Sequence, residues 1–212
     1  FASTFVTQME EVMGSCLDRG ITVVSNAGGL DPAGCAEQLA EVAGRLGLSP
    51  RIAYVDGDDL LPRAAELIAA GDLVEFGPHS GGLGDPAALV SANAYLGCWG
   101  IVEALAAGAD IVVTGRVTDA AVVCGPAAHH HGWQRDDFDA LAGAVVAGHV
   151  IECSAQATGG NYTDWHEVAD TLYEVGYPIA EIAADGGVVM TKPKGTGGCV
   201  TIGTVGEQLL YE

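Results

Sequence analysis

The sequence predicts an α/β protein with a doubly wound, mostly parallel sheet, flanking helices and a C-terminal lobe that contains a β-hairpin. Short apolar runs alternate with amphipathic segments over residues 21–70, which is the pattern of β-loop-α units. Residues 111–113 are branched and apolar, which suits a central parallel strand covered on both faces. Residues 179–182 and 188–191 flank Asp185-Gly186-Gly187, which predicts a hairpin.

The first half of the chain is predicted as alternating helices and strands. Asp31 and Pro32 open one of the helices, as N-cap and first helical residue. The predicted helices cover residues 4–19, 33–46, 60–70 and 87–107, and the predicted strands cover residues 21–25, 51–55, 73–76 and 110–113. A turn-rich link over residues 77–86 precedes the fourth helix. Asp58 and Asp59 are expected to cap the helix that begins at Leu60, although an acidic loop at a strand end is also able to hold Mg²⁺.

The second half is predicted as helices, glycine loops and the hairpin. A short helix reaches Gly125-Pro126, and residues 129–131, all histidine, are expected to form a solvated turn. Asp136 or Asp137 caps a helix that is expected to extend to Gln156, and a last helix covers residues 200–211. The predicted domains are a Rossmann-like core over residues 1–150 and a segment over residues 151–212 that packs over it.

The composition excludes several classes of protein. With 28 acidic and 8 basic residues, the net charge of −20 argues against nucleic acid as a partner, because phosphate neutralisation needs Lys and Arg. No apolar run is long enough to span a membrane, and no signal peptide is visible. The six cysteines are spread singly, which is typical of buried thiols in a reducing compartment. We therefore expect a cytoplasmic protein, and a homo-oligomer.

Four polar, glycine-bearing loops are the candidate site: residues 26–31, 114–119, 158–164 and 192–198. The first two follow strands of the parallel type, so they should gather at one edge of the sheet, where ligands of open α/β sheets bind. The candidate ligand-binding residues are Asn26, Gly28, Gly29, Asn93, Thr114, Gly115, Thr118, Thr158, Gly159, Gly160, Asn161, Lys192, Lys194, Gly195, Thr196 and Gly197.

Arg116 is the central functional candidate, because its planar guanidinium suits a carboxylate or a phosphate and arginine is scarce in this chain. The alternative is a strand followed by an N-cap at Thr118 or Asp119, with Arg116 in a structural ion pair. Asp119 and Asp164 are, with Arg116, the predicted catalytic residues, and each carboxylate is able to move a proton.

The loop over residues 192–198 contains both lysines of the chain and precedes a helix, so it is predicted to bind an anion through N–H and ammonium groups. The alternative is an ordinary hairpin exit with solvated lysines. Its order is not that of a Walker motif, and no G-x-G-x-x-G is present, which argues against a nicotinamide cofactor.

A metal site is a weaker possibility. His149 and Glu152 are spaced i, i+3 on one predicted helix, and His166 is a third candidate ligand. A histidine satisfied within the core is the alternative for His149.

Several segments of the sequence resemble the acyclic terpene utilisation family of AtuA-type proteins. They are residues 24–34, 92–97, 111–119, 155–165 and 192–211, which together span nearly the whole chain. Members of that family begin some tens of residues earlier and continue beyond the equivalent of Glu212. The resemblance therefore implies a fragment whose first strand unit lies outside this sequence.

The resemblance implies a role in the acyl-CoA catabolism of branched isoprenoids such as citronellol and geraniol. Family members act alongside biotin-dependent carboxylases and enoyl-CoA hydratases, so hydratase, lyase or isomerase chemistry on a CoA thioester is the expected activity. The alternative is a non-catalytic partner of an acyl-CoA carboxylase or hydratase complex. The family supplies no catalytic residues, so the candidates above rest on chemistry alone.

Overall fold

The computed structural model describes residues 1–76 and 84–212, and within them the chain forms seven α-helices and five β-strands. In chain order these are α1 (Ser3–Asp18), β1 (Val23–Ser25), α2 (Pro32–Leu46), β2 (Ile52–Val55), α3 (Ala64–Ala70), α4 (Trp99–Ala106), β3 (Ile111–Thr114), α5 (Ala121–His131), α6 (Phe138–Ile151), β4 (Ile179–Ile182), β5 (Val188–Thr191) and α7 (Ile202–Tyr211). Short 3-10 turns connect several of them. The chain packs into two compact units, residues 1–97 with 107–117 and residues 98–106 with 118–212.

The first unit contains a three-stranded parallel sheet in the order β1-β3-β2. The prediction that residues 111–113 form the central strand is confirmed, and all four residues of β3 are buried. Helices α1 and α2 pack against each other, and α2 also packs on β2 and β3. The core between them includes Met13, Leu39 and Val113, all with no exposed surface.

Helix α2 begins as the sequence predicts. The Asp31 side chain accepts a hydrogen bond from the N–H of Gly34 at 2.9 Å, and Pro32 occupies the first helical position. Its fixed φ suits a helix start, and its missing N–H has no intrahelical partner there in any case. Helix α2 ends at Gly47, whose φ of 69° is the left-handed conformation that glycine adopts without a steric cost.

The mixed α/β class is confirmed, but a doubly wound, Rossmann-like sheet is not. The parallel sheet has three strands in the described residues. The predicted strand over residues 73–76 is wrong: this segment pairs with no strand in the described part of the chain, and Phe76 is fully exposed. A short apolar run does not form a strand without a neighbour that accepts and donates its ladder hydrogen bonds. The predicted link over residues 77–83 lies outside the described residues.

The long helix predicted over residues 87–107 is also wrong in its first half. After a 3-10 turn at Pro86–Ala88, residues 89–98 are non-helical, and only α4 is helical. The N–H of Ala94 donates to the carbonyl oxygen of Asp58 at 2.8 Å, and the N–H of Leu60 donates to that of Ala92 at 2.7 Å. These bonds to the loop after β2 replace the local helical bonds that the composition favours.

The second unit is helical with one antiparallel hairpin. Helix α6 packs against α5, α7 and both strands of the hairpin. The hairpin has the predicted bounds, with Ile179 opposite Thr191 and Ile182 opposite Val188. The core of the second unit includes Cys124 from α5, Trp133 from the turn after α5, and Ala144 from α6.

Three local predictions in this unit need correction. Helix α5 continues through Pro126 to His131, so the histidine run is its last helical turn, in which His129 and His130 are exposed as expected. His131 Nε2 donates to the carbonyl oxygen of Ile182 at 3.0 Å, which ties the helix to the hairpin. Helix α6 ends at Ile151 and does not extend to Gln156.

The predicted division into residues 1–150 and 151–212 concerns domains and stays a prediction. Among the described residues, no helix combines the length and the apolar character that are needed to cross a bilayer.

Candidate functional site

The carboxyl edge of the parallel sheet gathers three loops of the first unit. Ser25 at the end of β1 is paired with Val113, and Val55 at the end of β2 is paired with Thr114. The strands are parallel, so the loops that follow them leave from the same edge. Two of the candidate loops, residues 26–31 and 114–117, therefore begin together, as the sequence predicts.

The loop after β1 lies directly against the end of β3. A Cβ on Gly28 would contact the carbonyl oxygen of Thr114 and would lie 2.7 Å from Cα of Pro32. Glycine is required at this position because no side chain fits between the two backbones. Asn26 is exposed beside it, and Gly29 has a φ of 55°. These residues thus form one wall of the edge.

A buried carboxylate organises the loops after β2 and β3. Asp58 is 3% exposed, and its Oδ2 accepts hydrogen bonds from Nδ2 of Asn93 at 2.9 Å and from the backbone N–H of Arg116 at 3.0 Å. Asp58 therefore joins three segments of the first unit. The prediction that Asp58 and Asp59 cap the next helix is wrong, because Leu60 and Arg63 occupy the N-cap positions of the 3-10 turn and of α3. Asp59 accepts a hydrogen bond from the N–H of Leu61 at 2.9 Å, just before that turn.

Gly115 is the position where the loop after β3 meets this carboxylate. A Cβ there would contact Oδ1 of Asp58 and would lie 2.8 Å from its Cγ. The N–H of Gly115 donates to the carbonyl oxygen of Val55 at 3.0 Å, which extends the sheet pairing by one residue. The glycine thus allows the close approach that the sequence analysis expected, but the group that approaches is Asp58.

Arg116 is held by an aromatic residue and not by an acid. Its Nη2 donates to the hydroxyl of Tyr95 at 2.6 Å, and its Cζ lies 4.9 Å from the centre of the Tyr95 ring. Three of the six arginines form ion pairs with Glu10, Asp110 and Glu66. No carboxylate oxygen of the described residues lies within 4.0 Å of the Arg116 guanidinium. The structural ion pair, the alternative to a functional Arg116, is therefore absent from the described part of the chain.

The remaining candidates belong to the second unit. Thr118 and Asp119 are exposed, and neither of them caps a helix: Ala120 occupies the N-cap position of α5. Asp164 is exposed at the start of a 3-10 turn. The predicted catalytic roles of Asp119 and Asp164 stay predictions.

Glu152 is a titratable group of this unit whose pKa is shifted. Burial raises the pKa of Glu152 to about 7, and a hydrogen bond with Glu212 and the negative charge of Asp119 add to the shift. A group with a pKa near the working pH both holds and releases a proton. Burial and the adjacent Glu152 also raise the pKa of the Cys153 thiol to about 12.

Residues 158–161 are occupied by contacts within the second unit. Thr158 has no exposed surface, and its hydroxyl donates to the carbonyl oxygen of Gly176 at 2.6 Å. Nδ2 of Asn161 donates to Oε1 of the buried Gln208 at 3.5 Å. Gly159 is buried with a φ of 134°, whereas Gly160 is exposed.

The N–H groups of the lysine loop are engaged by the protein. Gly197 donates to the carbonyl oxygen of Glu174 at 2.8 Å, Gly198 donates to the hydroxyl of Thr171 at 3.1 Å, and Cys199 donates to the carbonyl oxygen of Thr158 at 2.9 Å. A Cβ on Gly197 would contact the carbonyl oxygen of Thr171. The glycines of this loop therefore serve close packing of backbones, which differs from the predicted open anion cradle.

The lysines of that loop differ from each other. Lys192 Nζ donates to the carbonyl oxygen of Thr196 at 2.6 Å, within its own loop, while Lys194 and Gly195 are exposed. The helix that follows has its own cap, because the hydroxyl of Thr201 accepts from the N–H of Thr204 at 3.1 Å. The predicted anion-binding role of this loop stays a prediction, with Lys194 and Gly195 as its exposed part.

The weak metal candidates are not brought together as proposed. Within the described residues, the group with three potential ligand atoms within 4.8 Å of one another is Glu152, Cys153 and Glu212, and it includes neither His149 nor His166. The His149 carbonyl oxygen accepts a hydrogen bond from Gln208 at 3.3 Å.

Sequence reasoning missed two residues of the edge. Asp58 was considered only as a cap or as part of an acidic loop, and Tyr95 was not among the candidates. A usable signal was present for Asp58, since it stands three residues after a strand end, where polar side chains of open sheets collect.

The fold and the edge together define a mixed α/β protein with a polar cluster at the carboxyl end of a three-stranded parallel sheet. The sequence model of the acyclic terpene utilisation family of AtuA proteins matches residues 1–212, the whole chain, so the chain belongs to that family. This confirms the family resemblance found in the sequence, and with it an involvement in acyclic terpene utilisation. No curated protein and no solved structure matches the chain.

Proposed function

We propose that the protein is an enzyme that acts on branched acyl groups in the breakdown of acyclic terpenes, with the acyl group carried as a CoA thioester. Hydration, elimination or isomerisation is the proposed class of reaction. Family membership supports the terpene part of this proposal. The observation that supports a ligand site is Arg116, which stands at the carboxyl edge of the sheet without an acidic partner among the described residues.

Arg116 is one of three arginines that form no ion pair with the described residues. Arg45, Arg51 and Arg63 pair with carboxylates, whereas Arg19, Arg116 and Arg135 do not. Of these three, Arg116 is the one that lies at the carboxyl edge of the sheet, where its guanidinium donates to the hydroxyl of Tyr95. A positive charge next to a cleft edge attracts an anionic substrate.

The proton step is proposed separately for the second unit. Glu152 is the candidate there, because its pKa of about 7 suits a general acid or base. Asp119 and Asp164 remain the other candidates, and exchange of Glu152 for Gln tests the first assignment through the pH dependence of turnover.

The experiment is a binding and turnover assay with citronellyl-CoA, with free CoA as the reference. A ligand present at about a hundred times its Kd should stabilise the protein by about 2.7 kcal/mol, which a thermal shift detects. Arg116→Gln should abolish most of the shift. Arg135→Gln is the matched control, because Arg135 also lies over an aromatic ring, that of Trp99 at 4.7 Å, and also forms no ion pair with the described residues. If citronellyl-CoA neither shifts the melting temperature nor is converted, the proposal is wrong.

A non-catalytic role beside an acyl-CoA carboxylase or hydratase is the second candidate. Trp165, Tyr173 and Tyr177, all within residues 165–177, are each more than half exposed. Aromatic residues are enriched at the centres of protein interfaces. Co-purification in a fixed stoichiometry that Tyr173→Ala disrupts, without turnover of any acyl-CoA, would favour this candidate over the enzyme.

A further inference from the structure

The hydroxyl of Tyr95 retains a proton to donate. Its oxygen accepts the hydrogen bond from Nη2 of Arg116 at 2.6 Å, so its own hydrogen points elsewhere. In the described residues the hydroxyl of Tyr95 forms no other hydrogen bond, and the side chain is largely exposed. The phenol thus presents an O–H donor beside the guanidinium.

The guanidinium also retains most of its donors. Five N–H groups are present in the fork, and the bond to Tyr95 uses one of them. The centre of the Tyr95 ring lies 4.9 Å from Cζ, so the ring covers the guanidinium on one side. Arg116 and Tyr95 therefore offer N–H and O–H donors together, a combination that suits the two oxygens of a carboxylate or the oxygens of a phosphate.

Asp58 decides between these two anions. Its carboxylate accepts from the backbone N–H of Arg116 and from Asn93, and no cationic side chain of the described residues pairs with it. The buried Asp58 carboxylate, which is bonded to the backbone of Arg116, repels a second anion, and it repels a doubly charged group more strongly than a singly charged one. A phosphate monoester has its second pKa at about 6 and is mostly a dianion at neutral pH, whereas a carboxylate carries one charge.

We propose that Arg116 and Tyr95 form a two-donor site for a free carboxylate of a branched acyl substrate, and that Asp58 makes this site prefer a carboxylate to a phosphate. This inference rests on the proposed function and names the chemical class that the Arg116 site takes.

The test compares three probes that share one hydrocarbon chain: citronellate, citronellol and citronellyl phosphate. Titration calorimetry at neutral pH should show that citronellate binds about ten to a hundred times more tightly than citronellol, the range expected for hydrogen bonds to a charged group. Citronellyl phosphate should bind at least about three times more weakly than citronellate, because of its second charge.

Two variants test whether Arg116 and Tyr95 cause the preference for citronellate. Arg116→Lys keeps the charge but loses the planar fork, and should weaken citronellate binding about tenfold while citronellol binding is unchanged. Tyr95→Phe keeps the ring and loses the O–H, and should weaken citronellate binding about three- to tenfold. The matched controls are Arg135→Lys and Tyr54→Phe, a largely exposed tyrosine of the same unit, and both should stay within about twofold of the parent. Equal unfolding midpoints of the variants and the parent verify folding, and Arg116→Gln replaces Arg116→Lys should the latter not fold.

The outcomes separate this inference from the function on which it rests. Equal affinity for the acid and the alcohol, or tighter binding of the phosphate, overturns the carboxylate site even when citronellyl-CoA is still bound and converted. Loss of citronellate preference in Tyr54→Phe or Arg135→Lys also overturns it. If none of the three probes binds, the inference falls, and if citronellyl-CoA is also neither bound nor converted, the proposed function falls with it.

Discussion

Exchange of Gly115 for alanine should destabilise the protein by displacing the buried Asp58. The new methyl group would contact Oδ1 of Asp58 and would lie 2.8 Å from Cγ and 3.0 Å from Oδ2. Asp58 is unable to yield freely, because it is 3% exposed and held by Asn93 at 2.9 Å and by the N–H of Arg116 at 3.0 Å. A hydrogen bond to a charged group contributes about 1.5–3 kcal/mol, so loss of one to two of them costs about 2–4 kcal/mol.

A smaller effect of opposite sign accompanies this loss. Alanine restricts the unfolded chain more than glycine does, which stabilises a protein by about 0.4–1 kcal/mol where the conformation is compatible. The net loss expected for Gly115→Ala is therefore about 1–3.5 kcal/mol. This is a large share of the 5–15 kcal/mol that is typical of a folded domain, at about 25 °C.

Urea unfolding followed by circular dichroism measures this difference. Gly97→Ala is the matched control, since a Cβ on Gly97 meets no atom within 4 Å and its φ is not in the left-handed region. The control should be neutral or slightly stabilising, with an unchanged dependence on urea. The reasoning is refuted if Gly115→Ala lies within about 0.5 kcal/mol of Gly97→Ala, the range of an ordinary surface exchange.

Three further predictions concern the second unit. The raised pKa of Glu152 means that its folded form holds a proton up to about pH 7. Its contribution to stability is therefore present below the ordinary glutamate pKa of 4.5 and is lost as pH rises to about 7. Glu152→Gln should remove this decline, as measured by unfolding at a series of pH values. Thr158→Val should cost about 1–3 kcal/mol in urea unfolding, because the buried carbonyl oxygen of Gly176 loses its hydroxyl donor. Cys153, whose pKa is about 12, should react slowly with iodoacetamide near pH 8, as measured by peptide mass spectrometry, and Glu152→Gln should accelerate the reaction.

Each of these has its own control and contrary result. Glu152→Gln is compared with Glu37→Gln, an exposed helical glutamate, and an equal slope of stability between pH 4.5 and 7 in parent and variant contradicts the assignment. Thr158→Val is compared with Thr7→Val, whose hydroxyl is exposed at 3.5 Å from its acceptor, and an equal cost contradicts the role of the buried bond. Alkylation of Cys153 at the rate of a free thiol speaks against its high pKa.

The correct predictions of the fold depend on local rules. Helices α1 and α2, the cap at Asp31 and the hairpin bounds follow from residue spacing and from the conformations that Asp, Pro and Gly favour, which need no distant partner. The central position of residues 111–113 follows from their uniformly apolar side chains, because only an inner strand is covered on both faces.

The incorrect predictions concern segments whose hydrogen bonds go to distant residues. Residues 89–98 are apolar and small enough to form a helix, yet the backbone around Ala94 pairs with the loop that contains Asp58. Residues 73–76 have the composition of a strand and no described strand beside them. The anion site predicted for the lysine loop stays a prediction, although the N–H groups of Gly197 and Gly198 bond residues 174 and 171.

The sequence by itself determined the family, the mixed α/β class and the carboxyl edge at which Arg116 and Gly115 lie, because spacing, turn chemistry and strand direction are properties of short stretches. Only the tertiary structure decided that Asp58 joins the loops, that Tyr95 holds Arg116, and that Lys192 is engaged within its own loop. Those contacts join residues distant in the chain, or depend on how a loop closes. Their energies arise only once the backbone has brought the partners within hydrogen-bonding distance.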